Sequence, residues 1–121
     1  MNCISIKAYR NKFVFVFHKI NNTVTVVPEP PLSSKRLLIS NLDQAVELFQ
    51  KTISSNHKGI IKPVILFQPM DFLEDGLSDV EKRIYLEVCY RAGSRNVFVV
   101  LNDTELHTLL QNKEIFKSKF W

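Results

Sequence analysis

The order in which strand-like and helix-like segments follow one another constrains this chain more than any single motif. Three strand-like runs come first, at Ile4–Tyr9, Lys12–Lys19 and Thr23–Val27, and helix and strand then alternate as far as Leu101. A meander leading into βαβ units requires a mixed sheet with helices on its faces. The chain has 121 residues, 45% of them hydrophobic, so it can bury a core without disulfide or metal staples. The expectation is one α/β domain over residues 1–121, with a five-stranded mixed sheet and the order βββαβαβα.

Phe13-Val14-Phe15-Val16-Phe17 is apolar at every position, which predicts a central strand covered on both sides, with the phenylalanines in the core. Asn21-Asn22 suits a tight hairpin turn, because asparagine tolerates left-handed backbone. Pro28-Glu29-Pro30-Pro31 ends the returning strand, since proline has no N–H for the ladder. A first helix is expected from about Asn41, where Ser40 or Asn41 caps a pattern running through Leu42, Ala45, Val46, Leu48, Phe49 and Ile53. Pro63–Phe67 is a short apolar run of the buried parallel kind. Ser78-Asp79-Val80-Glu81 is a capping box for a second helix that stops at Gly93. Asn96–Leu101 is the next buried strand, and Asp103 or Thr104 caps a last helix carrying Leu106, Leu109 and Leu110. Residues 113–121 mix Ile115, Phe116, Phe120 and Trp121 with three lysines, either as a final turn packed on the body or as an aromatic-basic tail for a partner or membrane surface.

Charge and reactive side chains restrict the chemistry. A net charge of +4, scattered from Lys7 to Lys119 without a tract, reads as a solvated surface more than a nucleic-acid patch. Cys3 and Cys89 have no paired-ligand spacing, so buried free thiols are expected and neither a disulfide framework nor a zinc site. No apolar run approaches the ~20 residues needed to cross a bilayer, and the first residues carry no signal-peptide pattern, so the expected location is cytoplasmic. His18, His57 and His107 lack HxxxH or HExxH spacing, and no serine has nucleophile-elbow glycines around it. Asp71, Glu74, Asp75 and Asp79 read as solvated charge at a helix start, where the helix dipole favours them, and not as a metal site.

Several of these stretches together resemble subdomain IA of the bacterial actin MreB family. They are Arg36-Leu-Leu-Ile-Ser-Asn-Leu with its following helix, the strand ending at Pro69, Gly76-Leu-Ser-Asp-Val-Glu-Lys-Arg-Ile, and Ala92-Gly-Ser-Arg-Asn-Val-Phe-Val-Val. The family shows a strand ending in proline, a Gly-x-Thr-x-Val-Glu-Arg-Arg helix start and Ala-Gly-Ala-Arg-x-Val before the next strand. The resemblance runs from Ile4 to about Leu110, with Asp71–Asp75 as an apparent insertion. Within it, Arg36-Leu-Leu-Ile and Leu77-Ser-Asp-Val-Glu are similar to the small YjaA-like group of stress-associated proteins. It implies a ribonuclease H-like, actin-like subdomain.

The departures from that family matter for function. Actin-like ATPases place an Asp-x-Gly-Thr type turn after the first strand, where glycine lets backbone amides approach phosphate and aspartate organises the metal. The matching positions are Lys7, Ala8, Tyr9 and Arg10, with neither glycine nor carboxylate. The family's Glu-Glu-Pro corresponds to Leu101, Asn102 and Asp103, and Asn41 stands where an acidic residue is expected. The sequence runs out before a second phosphate loop, which on this resemblance leaves half a cleft. A ribonuclease H-like nuclease needs clustered carboxylates for two metals, and its first-strand acid falls near Lys7.

The expectation is therefore a non-enzymatic interaction domain without cofactor, nucleotide or metal, whose partner is a protein such as an actin-like filament, or a second copy. On the resemblance it modulates that filament or a stress or envelope response. Phe116, Phe120 and Trp121 are candidate contact residues, and membrane contact is expected only through that tail. The rival is a thiol-based stress sensor acting through Cys3 or Cys89, which needs an exposed, acidified thiol. A weak nucleic-acid-binding protein comes third.

Overall fold

The computed structural model describes residues 2–34, 37–57, 59–71 and 76–112. The strands are β1 (Cys3–Tyr9), β2 (Lys12–Phe17), β3 (Asn22–Val26), β4 (Val64–Pro69) and β5 (Asn96–Val99). The helices are α1 (Leu42–Asn56), α2 (Asp79–Arg91) and α3 (Asp103–Gln111), which gives the expected element order. The five strands form one mixed sheet in the order β3-β2-β1-β4-β5. β2 pairs antiparallel with both β1 and β3, whereas β1, β4 and β5 are mutually parallel, so β2 alone runs against the rest.

Local chemistry sets the turns. Arg10 and Asn11 join β1 to β2 with Tyr9 opposite Lys12, and Asn11 takes the positive φ of 56° that asparagine tolerates. Asn21, at φ 51°, closes the β2–β3 connection, while Asn22 is already in the ladder opposite Phe17. The Asn41 side chain caps α1 by accepting from Gln44 N–H, and α2 carries the full Ser78/Glu81 capping box. Gly93, at φ +108°, follows α2 as its sequence position predicts. The cap of α3 is Asn102, one residue before the expected Asp103 or Thr104, and its Oδ1 accepts from Glu105 N–H. Asparagine reaches the third amide of the turn as well as aspartate does, and Asp103 is left to the first helical position.

Two faces of the sheet are buried unequally. Ile4, Ile6 and Ala8 of β1, Phe13, Phe15 and Phe17 of β2, Ile65 and Phe67 of β4 and Val97 of β5 pack beneath α1 and α2. Phe49 of α1 stands edge-on to Phe13 and Phe15, with ring centroids 5.1 and 5.3 Å away, and Phe67 stacks on Tyr85 of α2 at 4.6 Å. The other face is smaller: Cys3, Val64, Leu66 and Val100 are covered by Leu106, Leu109 and Leu110 of α3. Every residue of β4 is buried, the apolar run Val64–Phe67 as its composition requires and Gln68 with it. β2 departs from expectation. Its phenylalanines are core, but Val14 and Val16 on the α3 side are only half-buried, because α3 covers β1, β4 and β5 and leaves this strand pair open. β2 also stops at Phe17 and not at Lys19, and β4 continues through Gln68 and Pro69.

Among the described residues, no helix is long and apolar enough to cross a membrane. The candidate contact residues Phe116, Phe120 and Trp121, with the whole 113–121 stretch, lie outside the described residues, as do Glu74 and Asp75 of the acidic loop.

Candidate functional site

In an open sheet with parallel strands, ligands are held beyond the carboxyl ends of the strands, where neighbouring connections diverge. Here β1 turns one way into β2 and β4 leaves the other way through α2 to β5, so the divergence lies between the ends of β1 and β4. Register sets what lines it. Lys7 of β1 is the direct neighbour of Gln68 of β4, and both project to the α3 side, where α3 begins with Asp103.

Lys7 Nζ lies 3.6 Å from Asp103 Oδ1, and Gln68 Nε2 donates to the same oxygen at 3.2 Å. Asp103 is held below the usual carboxylate range, first by that hydrogen bond and then by the lysine charge. Gln68 is 3% exposed, and its Oε1 is buried without a hydrogen-bond partner. A buried acceptor without a partner costs about 1–3 kcal/mol. Asn11 Oδ1, at the tip of the β1–β2 turn, is likewise buried and unpartnered. Beside it, Asp71 accepts the Arg10 backbone N–H at 2.6 Å and ties the segment after β4 to the hairpin. Lys12 Nζ sits 4.4 Å from the Tyr9 ring centroid, in cation–π contact.

The positions matching a phosphate turn are thus part of a regular strand and a two-residue hairpin. Ala8 is fully buried on the α1–α2 side, Lys7 and Tyr9 face the other way, and Arg10 is exposed in the turn. Alternation of this kind presents one amide to each side in turn and cannot converge several on one anion. Leu101 is exposed, Asn102 caps α3 and Asp103 is shared between Lys7 and Gln68. Asn41 has a complete local role as the cap of α1. No group of three or more histidine, cysteine or acidic side chains arranged to hold a metal occurs among the described residues. What the Lys7–Gln68–Asp103 grouping and the adjoining turn offer chemically is the Lys7 cation, one shared carboxylate and two buried amide oxygens, Gln68 Oε1 and Asn11 Oδ1.

Neither thiol belongs to this grouping, and the two lie on opposite faces of the sheet. Cys3 packs under α3 and Cys89 in the α1–α2 core, both as free buried cysteines. Burial pushes the Cys3 thiol up to about 12 and raises Cys89 further. His18 Nε2 lies 2.7 Å from Ser5 Oγ on the α3 side of the sheet, and burial holds its imidazole below the ordinary range. His57 Nε2 bonds to the Ile61 carbonyl at 2.9 Å, and His107 is exposed on α3.

Sequence reading did not pair Lys7 with Gln68 and Asp103, nor Ser5 with His18. The available signal was a glutamine closing an otherwise apolar run, and a serine between Ile4 and Ile6. No family model matches this chain, and no curated protein matches it.

Proposed function

We propose that this chain is a non-enzymatic protein-interaction domain on a ribonuclease H-like framework, related to subdomain IA of the MreB family. Support for the framework comes from the strand order β3-β2-β1-β4-β5 with β2 alone reversed, which is the arrangement that resemblance implies. The observation that carries the functional half is the Lys7–Asp103–Gln68 grouping. A cation stands on the first strand where an actin-like or nuclease site needs a carboxylate, and the nearest carboxylate is already neutralised by it. The adjoining hairpin lacks glycine and offers no concave array of amides. In its concrete form the domain modulates a bacterial actin-like filament or a stress or envelope response, a step that rests on the resemblance alone.

The thiol-sensor alternative is less favoured, since an exposed, acidified thiol is its requirement and both cysteines are buried with raised pKa. Nucleotide linkage tests the leading reading. A ligand at about 100 times its Kd stabilises a fold by ~2.7 kcal/mol, a melting shift of several degrees for a domain of this size. The expected result is no resolvable shift with millimolar Mg-ATP and no phosphate release above a buffer control. A saturable shift specific for nucleoside triphosphate over plain phosphate would refute it.

A further inference from the structure

Charge that is scattered along the sequence is sorted by the fold. Each helix returns the chain to the end of the sheet where the parallel strands begin, so the starts of β1, β4 and β5, the ends of α1 and α2 and the β2–β3 turn share one end. Backbone bonds join these pieces in a row: His18 N–H donates to the Cys3 carbonyl at 3.1 Å, Val64 N–H to Asn2 at 3.1 Å and Arg95 N–H to Pro63 at 2.9 Å. Residues 2–3, 17–21, 56–57, 59–63 and 92–96, which lie there, include no aspartate or glutamate. The opposite end holds Asp43, Asp79, Glu81, Asp103 and Glu105 in the first turns of the three helices. One turn up α2, Glu87 is already paired with Arg91 at 4.0 Å.

Two lysines and two isoleucines of the acid-free end stand in solvent. Lys19 and Ile20 belong to the β2–β3 turn, and Ile60 and Lys62 to the connection from α1 to β4. These two segments adjoin. Lys19, Ile20, His57 and Gly59 line one cavity of about 260 Å³, and a Cβ built on Gly59 would lie 3.6 Å from Lys19 Nζ. Ile20 is 55% exposed and Ile60 100% exposed. Lys19 and Lys62 are exposed as well, and neither has an ion-pair partner among the described residues. Arg95 adds a third positive charge at this end.

Protein interfaces draw their affinity from tryptophan, tyrosine and arginine anchors seated in shaped pockets, and single-stranded nucleic acid stacks on aromatic faces. Isolated aliphatic tips between lysines suit neither. A hydrocarbon layer accepts such tips without shape complementarity, and anionic headgroups above it attract the lysines. We propose that this end of the sheet docks on an anionic phospholipid bilayer, with Ile20 and Ile60 entering the interface and Lys19 and Lys62 held at the headgroups. The surface lies at the opposite ends of the strands from the Lys7–Asp103–Gln68 grouping, so nucleotide binding there would leave this inference standing.

Sedimentation of the full chain with vesicles tests it, comparing phosphatidylcholine alone with an equal mixture of phosphatidylcholine and phosphatidylglycerol. Binding is expected only to the mixture, and it should vanish in about 1 M salt, where the Debye length falls to about 3 Å. Ile60 makes no buried contact to lose, so Ile60→Ser should keep the melting temperature and weaken binding at least about tenfold. Lys19→Gln with Lys62→Gln should weaken it roughly twentyfold. Val80→Ser, which alters a 68% exposed apolar residue in the first turn of α2 at the acidic end, should change nothing. An environment-sensitive fluorophore on Ile60→Cys, selective because the native cysteines are buried, should shift to the blue with the mixed vesicles. No binding to the mixture overturns the proposal, as does binding that survives both Ile60→Ser and the paired lysine changes. Duplex DNA bound more tightly than the vesicles at the same salt would also overturn it, by showing that charge alone is recognised.

Discussion

Phe49 gives the most demanding test of how the α1–α2 side of the sheet is held. It is fully buried, edge-on to Phe13 and Phe15 at 5.1 and 5.3 Å and tilted against Phe67 at 6.4 Å, so one side chain from α1 locks to two strands of the sheet. Truncation of a buried phenylalanine to alanine costs about 3–5 kcal/mol, combining lost transfer energy with a residual cavity. Collapse is limited here, because Phe13, Phe15 and Phe67 belong to ladder-bonded strands and cannot all move inward. Two edge-on pairs add roughly 0.5–1.5 kcal/mol each beyond burial, which places Phe49→Ala near the top of that range. Phe49→Leu fills most of the volume and loses chiefly the ring geometry, so about 1–2 kcal/mol is expected. Urea unfolding followed by circular dichroism reads both, and at roughly 4 °C per kcal/mol the alanine variant should melt some 15–20 °C lower. If Phe49→Ala costs less than about 2 kcal/mol, or Phe49→Leu costs as much as alanine, the ring cluster is not what joins α1 to the sheet.

Two further outcomes follow from buried titratable groups. His18 has a folded pKa below its unfolded value, so the native state binds fewer protons; stability present above about pH 6.5 should be lost as pH falls through and below that value. Melting temperatures between about pH 7 and pH 5 should fall, His18→Gln should flatten that slope, and an unchanged slope would show that the Ser5–His18 contact does not govern it. Cys3, raised to about 12, and Cys89 should resist a thiol-specific chromogenic reagent in the native state and react together on unfolding in urea. Stoichiometric labelling of either under native conditions would revive the thiol-sensor alternative.

How far the fold was legible depended on the distance over which each feature is encoded. The Ser78/Glu81 box, the Asn41 cap and the Gly93 stop are written within four residues, and the structure places each where the pattern does. The meander followed by alternation was equally readable, because strand and helix differ in period over a window shorter than the element itself. β2 was read less well. Its valines look as apolar as its phenylalanines in sequence, and only the position of α3, over β1, β4 and β5, decides that one set is core and the other half-buried. The strand ends at Lys19 and Leu101 lie beyond the observed Phe17 and Val99, whereas for β4 the end at Pro69 is the observed one although the apolar run alone stops at Phe67, since a proline tolerated at a ladder's last position cannot be told from one that breaks it.

The candidate site was the least legible part, and the reason is geometric. Lys7, Gln68 and Asp103 are separated by 61 and 35 positions, and they meet only because β1 and β4 pair in parallel with Lys7 beside Gln68 while α3 starts above them. Local composition shows that Lys7–Arg10 holds neither glycine nor carboxylate, whereas what Lys7 does instead lies in strand register. The unpartnered Oε1 of Gln68 and Oδ1 of Asn11 sharpen the contrast. Both sit in one hairpin-and-strand neighbourhood at the carboxyl ends, where the positive φ of Asn11 accounts for an asparagine and the backbone of β4 asks for no amide at Gln68. Gln68 instead donates to Asp103 beside Lys7, so the penalty at Oε1 is set against the charge-assisted bond that its Nε2 makes.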